Sequence, residues 1–230
     1  KTAYEIGVRL VGSEMCIRDR LSVNLVSGVE ISALWRNMTI HILGLGIDTN
    51  NGILGKGLNY NQRLREERAE KIALGLRRAG ITDALEKTQE LSKTDMITRT
   101  HFAQMLFQEG YCKDIKSVFR RFLTGKKPGT SRVEWRSFDE VVGWIHAAGG
   151  LAVIAHPFRY RMTNTKIKKM LIDFKEVLGD GVEVVTATST DEEITLSDQW
   201  TKEYKLLSSC GSDYHCLLYT SPSPRDGLLS

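Results

Sequence analysis

The stretch LAVIAHPFRY, residues 151–160, decides the fold, because it predicts a buried strand that carries an imidazole to its end. Its apolar, β-branched run is typical of a strand covered on both faces. Pro157 has no backbone N–H and disfavours helix in the residue before it, so we expect His156 where the strand leaves the sheet. In α/β proteins, ligands bind at that edge. On this stretch alone, a hydrogen-bonded structural histidine and a functional one are equally good interpretations of His156.

The two ends of the chain are predicted not to be native protein. One DNA word encodes VGSEMCIRDR, residues 11–20, on one strand and CLLYTSPSP, residues 216–224, on the opposite strand. Two unrelated peptides have no reason to share such a word, whereas an adapter that flanks an insert does. The word resembles a transposase-type sequencing adapter.

We therefore interpret residues 1–20 and 216–230 as adapter-derived and exclude them from reasoning about the fold. The native window is expected to run from Leu21 to His215 and to be cut from a longer protein. The last base of the His215 codon falls at the junction, so a native Gln is the alternative there.

The composition of this window excludes several classes of protein. The net charge is +4 for the chain and about +3 without the ends, which carry five Lys/Arg against four Asp/Glu. Such a mild charge argues against a dedicated DNA-coating protein. Two cysteines remain, Cys112 and Cys210, without a paired spacing, which predicts a reducing, cytoplasmic compartment. Since no run approaches the ~18 apolar residues of a membrane span, we expect no membrane partner. No stable protein partner is inferred from the sequence.

Strand and helix signals divide the window into an α/β body and a helical insertion. Residues 21–58 hold two β-rich runs joined by the polar turn WRNM, and residues 129–215 alternate helix with strand, which predicts parallel strands. Residues 59–128 carry three amphipathic helices, in RLREERAEKIALGLRRAG, ITRTHFAQMLFQEG and DIKSVFRRFLTG. The charge run Arg63–Arg68 is interpreted as a solvated face, and SFDE, residues 137–140, as a capping box.

Residues of metal-ligand type lie in or directly after the predicted strands. Glu30 is a lone carboxylate in the apolar run GVEIS, and burying it costs several kcal/mol unless it is paired or bound to a cation. A hydrogen-bonded Glu on an edge strand is the alternative. His41, His156, Asp213 and His215 follow the same pattern. Oxygen and imidazole ligands without paired cysteines suit Mn²⁺, Zn²⁺ or Fe²⁺, and such ions activate water and hold phosphoryl oxygens.

Two further side chains stand at the start of the helix in ITRTHFAQMLFQEG. Arg99 and His101 are placed to hold an anion beside the unpaired N–H groups of the first helical turn. An ordinary solvated helix end is the alternative for both. His146, on the helix that precedes residue 151, is interpreted as structural.

The motifs GVEIS, IHILGL, GGLAVIAHPFRY and GSDYH, in this order, resemble those of the PHP (polymerase and histidinol phosphatase) family of metal-dependent phosphoesterases. The resemblance implies an α/β fold, a distorted (β/α)7 barrel that is incomplete at both ends here, with an inserted helical subdomain. It also implies two or three divalent ions in the intact enzyme, Mn²⁺ foremost, held in this chain by Glu30, His41, His156, Asp213 and His215.

The chain departs from the family pattern in two places. Ser27 stands where proline is usual before GVEIS. The family's first motifs, a His-x-His with a following Asp and a later Asp-His, are expected before Leu21. This 230-residue chain is therefore expected to lack a complete metal site and to be inactive by itself.

The inserted helices with ITRTHFA resemble one branch of the family, which hydrolyses nucleoside 3′,5′-bisphosphates and acts as a 5′-to-3′ exoribonuclease on short RNA. This resemblance implies a nucleotide or short RNA as substrate, with phosphate contacts from Arg99, His101 and Arg159, and Tyr160 beside them. Two alternatives stay open. One is a PHP phosphatase of the histidinol-phosphate type, which would lack the insertion; the other is a non-catalytic PHP-like module that binds nucleotide or a partner protein.

Overall fold

The computed structural model describes residues 26–92 and 97–213, and its central element is one mixed sheet of five strands. The strands lie in the sheet in their chain order. They are β1 (Gly28–Trp35), β2 (Met38–Leu45), β3 (Leu151–Ile154), β4 (Gly181–Val185) and β5 (Leu207–Cys210). The first three strands pair antiparallel, and β3, β4 and β5 pair parallel, as the alternation of helix and strand predicts.

Seven α-helices connect these strands within the described ranges. They are α1 (Gly52–Arg78), α2 (Ala84–Leu91), α3 (Arg99–Gln108), α4 (Ile115–Val118), α5 (Phe138–Ala147), α6 (Asn164–Glu176) and α7 (Asp191–Tyr204). A π-helical turn, Phe119–Leu123, continues α4, and a 3₁₀ turn, Pro157–Tyr160, follows β3. The predicted capping box forms at the start of α5, where the Glu140 carboxylate accepts from the Ser137 backbone N–H and hydroxyl.

The hairpin of β1 and β2 is closed by two residues with left-handed backbone. Arg36 and Asn37 have φ of 44° and 64°, which is the geometry of a type I′ turn and matches the twist of the flanking strands. This turn sets the register, with Ser32 opposite His41. Because side chains alternate along a strand, the register decides which polar residues share a face.

The core of the sheet unit, residues 26–58 and 135–213 of the described chain, lies on one face of the sheet. Ile31, Ala33 and Trp35 alternate along β1 and are almost fully buried. Helices α5, α6 and α7 contribute buried apolar side chains to the same cluster, including Ile145, Phe174 and Trp200. Each such large apolar side chain contributes about 1.5–3 kcal/mol on burial.

Residues 59–134 form a second compact unit, in whose described part the regular elements are all helical. It has its own core, with Ile72 and Leu76 of α1 and Phe102 and Leu106 of α3 all nearly inaccessible. No helix in the described residues is both long and apolar enough to cross a membrane.

The helices differ from the sequence prediction in two places. Helix α1 begins at Gly52, before the predicted start near residue 59, because Leu54 packs into the core of the sheet unit despite three glycines in the first two turns. Helix α2 was not predicted at all, since ALEKTQEL is mostly polar and only eight residues long. The predicted adapter-derived segments, 1–20 and 216–230, lie outside the described residues.

The interpretation of Arg63–Arg68 as a solvated face does not fully describe its last residue. Arg68 is half-buried, and its Nε is inaccessible and has no hydrogen-bond partner among the described residues. Burial, together with repulsion from Arg99 and Arg65, lowers the pKa of Arg68 to about 10. Helical spacing turns one position of the run inward, which a count of charges does not reveal.

Candidate metal centre

Glu30 and His41 meet on the face of the hairpin that points away from the core. Ser32 lies opposite His41, so Glu30 is its diagonal neighbour on the same face. The Glu30 Oε1 atom lies 2.7 Å from His41 Nδ1, and both side chains are partly exposed. The lone carboxylate in GVEIS is therefore paired, as its cost of burial requires.

His156 reaches the same carboxylate from the end of β3. The strand ends at Ile154, and His156 follows with φ of 31° and ψ of 60°, immediately before the 3₁₀ turn that Pro157 begins. This left-handed backbone is uncommon for a residue with a side chain. Its Nε2 lies 3.2 Å from Glu30 Oε1 and 3.3 Å from His41 Nδ1. The side chain is buried, with 7% of the residue exposed.

Tyr160 fixes the backbone on which two of these side chains stand. Its hydroxyl accepts from the His41 backbone N–H at 2.8 Å and donates to the Ala155 carbonyl at 2.9 Å. Burial raises the pKa of Tyr160 well above its usual value. The sequence predicts Tyr160 beside the substrate. In the structure its hydroxyl is hydrogen-bonded to the backbone of His41 in β2 and of Ala155.

Glu183 is a functional candidate that sequence reasoning missed. It lies in β4, is 4% exposed, and its Oε2 accepts from the His156 backbone N–H at 2.8 Å. A signal was present, since Gly181-Val182-Glu183 repeats the Gly28-Val29-Glu30 pattern of a lone carboxylate inside an apolar strand. Through this hydrogen bond the carboxylate holds the left-handed turn at His156.

Gly211 makes room for the Glu183 carboxylate. A Cβ at this position would lie 2.5 Å from Glu183 Oε1, which is closer than non-bonded atoms tolerate. The glycine of the GSDYH motif therefore permits the chain that follows β5 to pass close to the buried Glu183 side chain.

The three facing atoms of Glu30, His41 and His156 fit a divalent ion. They form a group of carboxylate and imidazole ligand atoms that all lie within 4.8 Å of one another. Their separations of 2.7, 3.2 and 3.3 Å are close to the roughly 2.9–3.4 Å between neighbouring ligand atoms that are about 2.0–2.1 Å from one ion. A carboxylate with two imidazoles is a donor set for Mn²⁺, Fe²⁺ or Zn²⁺.

Asp213 lies beside Arg159. Its carboxylate is almost inaccessible and forms an ion pair with Arg159 Nη1, while the other guanidinium nitrogen, Nη2, lies 3.5 Å from Thr188 Oγ1. Arg159, Thr188 and His156 line a small concavity of about 70 Å³ together with Glu183. His215, the fifth predicted ligand, lies outside the described residues.

His146 has the contacts of a structural residue. Its Nε2 lies 2.8 Å from Asp180 Oδ2, and the same oxygen accepts from the Ala152 backbone N–H at 2.7 Å. The pair fastens the end of α5 to the start of β3. Unlike His156, this imidazole belongs to no cluster of candidate ligands found in the described chain.

Arg99 and His101 belong to the helical unit, where they open α3. Thr98 caps the helix by accepting from the His101 backbone N–H, and His101 Nδ1 accepts from the Thr98 backbone N–H at 3.2 Å. An accepting Nδ1 carries no proton, so in the neutral imidazole Nε2 is the donor. Burial lowers the pKa of Arg99, whose guanidinium lies 5.9 Å from the centre of the Phe119 ring.

Curated relatives cover most of the described chain. The 3′,5′-nucleoside bisphosphate phosphatase of Chromobacterium violaceum is 39% identical over 197 residues, 85% of this chain and 69% of the relative. The 5′-3′ exoribonuclease of Haemophilus influenzae is 37% identical over 195 residues, 85% of this chain and 71% of the relative. The 5′-3′ exoribonuclease Rnm of Escherichia coli is 36% identical over 198 residues, 86% of this chain and 68% of the relative.

The chain belongs to the PHP family of metal-dependent phosphoesterases. The relatives named above are hydrolases. The chain therefore belongs to a family of enzymes, as its motifs predict. No family model matches the chain.

Solved structures support the same fold. An amidohydrolase from Chromobacterium violaceum, determined with bound sulfate and no metal, has a TM-score of 0.82 and 37% identity, covering 89% of this chain and 72% of that one. A Bifidobacterium adolescentis protein described as a metal-dependent phosphoesterase has a TM-score of 0.73 at 22% identity, over 90% and 73% of the two chains. The predicted α/β class is confirmed, and the mixed sheet with its helices is consistent with a PHP barrel.

Proposed function

We propose that the protein hydrolyses phosphate esters of nucleotides, removing phosphate from nucleoside 3′,5′-bisphosphates and nucleotides from the 5′ end of short RNA. The observation that carries the proposal is the convergence of Glu30, His41 and His156 on one point at the rim of the sheet. The names of the relatives from Chromobacterium violaceum and Haemophilus influenzae supply the two substrate classes.

The metal ligands proposed for this chain are Glu30, His41, His156, Asp213 and His215, with Mn²⁺ as the preferred ion. The distances among the first three support a shared ion, and Asp213 and His215 rest on the GSDYH motif. Bound divalent ions would supply a hydroxide nucleophile and charge neutralisation at the phosphoryl oxygens.

The protein's own groups have defined tasks around this centre. Glu183 fixes the His156 backbone, and the Tyr160 hydroxyl fixes the backbone of His41, so the two imidazoles keep their separation. The small concavity beside His156 is lined by Arg159, whose guanidinium is a phosphate-binding group; in the proposal its pair with Asp213 opens when substrate enters. These contacts orient ligands and substrate before any bond is broken.

Arg99 and His101 are proposed as substrate phosphate contacts. Local charge supports this role, because Arg68 is repelled by Arg99 and by Arg65, and the burial of Arg99 is costly while it remains charged. An anion with several oxygens would relieve that repulsion and accept from the His101 Nε2–H.

The proposed setting is the cytoplasm. Cys112 and Cys210, the cysteines that the structure describes, are both free thiols, which suits a reducing compartment. Nucleotides and short RNA are the proposed partners.

The test separates metal binding from catalysis. Calorimetric titration of the 230-residue chain with Mn²⁺ is expected to show binding that His156→Ala weakens by about tenfold or more, since a directly bound ligand matters at least as much as the residues that orient it. His146→Ala is the matched control and should leave the affinity unchanged, because His146 pairs with Asp180 away from the cluster. Equal loss in both variants would contradict the metal assignment.

Activity is measured on the product of the complete gene, because the chain aligns with only 69% and 71% of the length of the relatives from Chromobacterium violaceum and Haemophilus influenzae. We expect Mn²⁺-dependent release of phosphate from adenosine 3′,5′-bisphosphate and of nucleotides from a short 5′-phosphorylated RNA. His156→Ala should lower both by about a hundredfold or more. Release from histidinol phosphate alone would replace this assignment with that of another phosphatase of the same family.

A further inference from the structure

A second basic surface lies on the helical unit, separate in sequence from Arg99 and His101. It is a concavity of about 760 Å³, which we call the basic groove. Its lining residues are Gly110, Tyr111, Cys112, Lys113, Ser117, Arg120, Arg121 and Lys127. The volume lies within the ~300–1,000 Å³ range of ligand sites.

The charge of the groove is strongly positive. Four of its lining side chains are cationic, and the lining residues that the structure describes include no carboxylate. The neighbouring Asp114 is used as the cap of α4, where it accepts from the Ser117 backbone N–H at 2.6 Å and from the Ser117 hydroxyl at 3.0 Å. These hydrogen bonds lower the pKa of Asp114. Residues 110–127 contain six Lys and Arg in total, and Asp114 is the one acidic residue in this range.

The backbone beneath the groove presents two arginines side by side. The π-helical turn Phe119–Leu123 buries Phe122 and Leu123 and leaves Arg120 and Arg121 exposed. Such turns are rare and are frequent at functional sites. Arg121 is held in place, because its Nη1 donates to the Tyr111 carbonyl at 3.2 Å and its guanidinium lies 5.1 Å from the centre of the Phe122 ring.

An aromatic side chain completes the surface. Tyr111 is 37% exposed, and its ring packs edge-on against Phe122, with 6.1 Å between ring centres. An exposed aromatic ring beside a row of cations is the arrangement with which proteins bind single-stranded nucleic acid, since bases stack on the ring while phosphates meet the charges. A site that binds an acidic peptide through charge alone would not require the exposed Tyr111 ring, so the ring favours nucleic acid.

We propose that the basic groove binds the phosphodiester backbone of single-stranded RNA, without regard to base sequence. The inference rests on the proposed function for its choice of nucleic acid and adds a contact that the metal centre does not require. RNA held in this way makes its contacts to the helical unit even when no ion is bound.

The experiment measures the binding of a fluorescently labelled single-stranded RNA to the full chain by anisotropy, in EDTA, over a range of salt concentrations. The groove variant is Arg120→Gln/Lys127→Gln. Its matched control is Arg77→Gln/Arg78→Gln, which removes the same number of charges from exposed positions of the same unit outside the groove.

We expect the groove variant to bind about tenfold more weakly and its salt dependence, the slope of log K against log salt, to fall by about 1.4, or 0.7 for each lost phosphate contact. The control should keep the wild-type slope. If both variants weaken binding equally, or neither does, the groove is not the RNA site. Polyglutamate competing as well as RNA would also overturn the proposal, in favour of an acidic protein partner.

Further controls distinguish loss of folding from loss of RNA binding, and failure of the proposed function from failure of the groove proposal. Circular dichroism melts check that the variants fold, and Lys113→Gln/Lys127→Gln replaces the groove variant if Arg120 proves necessary for folding. Because binding is measured without metal, loss of hydrolysis with intact RNA binding contradicts only the proposed function. Hydrolysis without groove-dependent binding contradicts only this inference.

Discussion

At the scale of single residues, the site depends on how one histidine is held. His156 presents Nε2 to Glu30 and His41 only because its backbone turns left-handed after β3. In a residue with a Cβ such a backbone is strained, and it persists only where surrounding contacts enforce it. Here the enforcing contact is the buried Glu183 carboxylate, which accepts from the His156 backbone N–H.

Replacing Glu183 should therefore damage both stability and metal binding. Glu183→Ala leaves a buried N–H unpaired and is expected to cost about 1–3 kcal/mol. Glu183→Gln keeps an acceptor oxygen and should recover a large part of that loss. Urea unfolding measures the stability, and Mn²⁺ titration measures the affinity. A Glu183→Ala variant with wild-type stability and affinity would show that the turn is held by other contacts.

The sequence predicts some of these residues and not others for physical reasons. Pro157 indicates the end of the strand, so the sequence predicts that His156 lies where β3 leaves the sheet. The repeated Gly-Val-Glu pattern marks Glu183 as a lone carboxylate in an apolar strand, but its partner is a backbone N–H 27 positions away, and such groups carry no signature in the sequence. The pairing of Glu30 with His41 needs the hairpin register, which the I′ turn at Arg36 and Asn37 sets only in three dimensions.

At the scale of elements, the hairpin is anchored to α6 by one carboxylate. Asp173 accepts from Trp35 Nε1 at 2.9 Å and from Arg36 Nε at 3.1 Å, and pairs with Lys169 at 2.8 Å. Desolvation raises the pKa of Asp173, but the bonds from Lys169 and Trp35, with the charge of Arg36, outweigh it and lower the pKa overall. The turn that sets the register is thus tied to a helix.

This depressed pKa predicts how stability depends on pH. A carboxyl whose pKa is lower in the folded state stabilises the fold above the pKa of the unfolded chain, near 3.8, and loses that contribution as pH falls through the folded value. Asp173→Asn should cost up to about 1 kcal/mol at neutral pH, reduced by solvent screening. The difference from wild type should vanish in thermal melts between about pH 5 and pH 2. A difference that stays constant with pH would contradict the ionic role.

Helix α1 shows why element boundaries were harder to predict than element types. Its N-terminal turns contain Gly52, Gly55 and Gly57, which favour a loop on propensity alone. A Cβ at position 57 would lie only 2.4 Å from the Trp144 ring, so the glycine is needed for helix packing. Tertiary contacts that a local pattern does not contain therefore decide where the helix starts.

At the scale of the whole molecule, charge is distributed unequally between the two units. Residues 59–134 hold sixteen Lys and Arg against ten Asp and Glu, a net charge of +6, whereas the rest of the chain has sixteen against eighteen. The mild overall value of +4 conceals this asymmetry. Anionic substrates are drawn towards surfaces of one sign, so the helical unit is the part expected to collect them.

Relieving this charge should stabilise the protein while weakening anion binding. Arg68→Met removes a half-buried cation that faces repulsion from Arg99 and Arg65, and we expect a gain of about 1 kcal/mol, or roughly 2–4 °C in melting temperature. We also expect added inorganic phosphate to stabilise the wild type, and to stabilise the Arg68→Met variant less. The exposed Arg77→Met serves as the control. A destabilised Arg68→Met variant would mean that this guanidinium makes a favourable contact instead.

The left-handed backbone at His156 also limits how the centre could be redesigned. Asn, Asp and His adopt positive φ several-fold more readily than other residues with side chains, and β-branched residues resist it. Of the usual ligand types, only Asp could replace the imidazole without bending the chain anew. An oxygen donor there would shift selectivity towards harder cations such as Mg²⁺ or Ca²⁺. The geometry of one peptide unit thus sets the range of ions that an engineered descendant of this fold could be made to prefer.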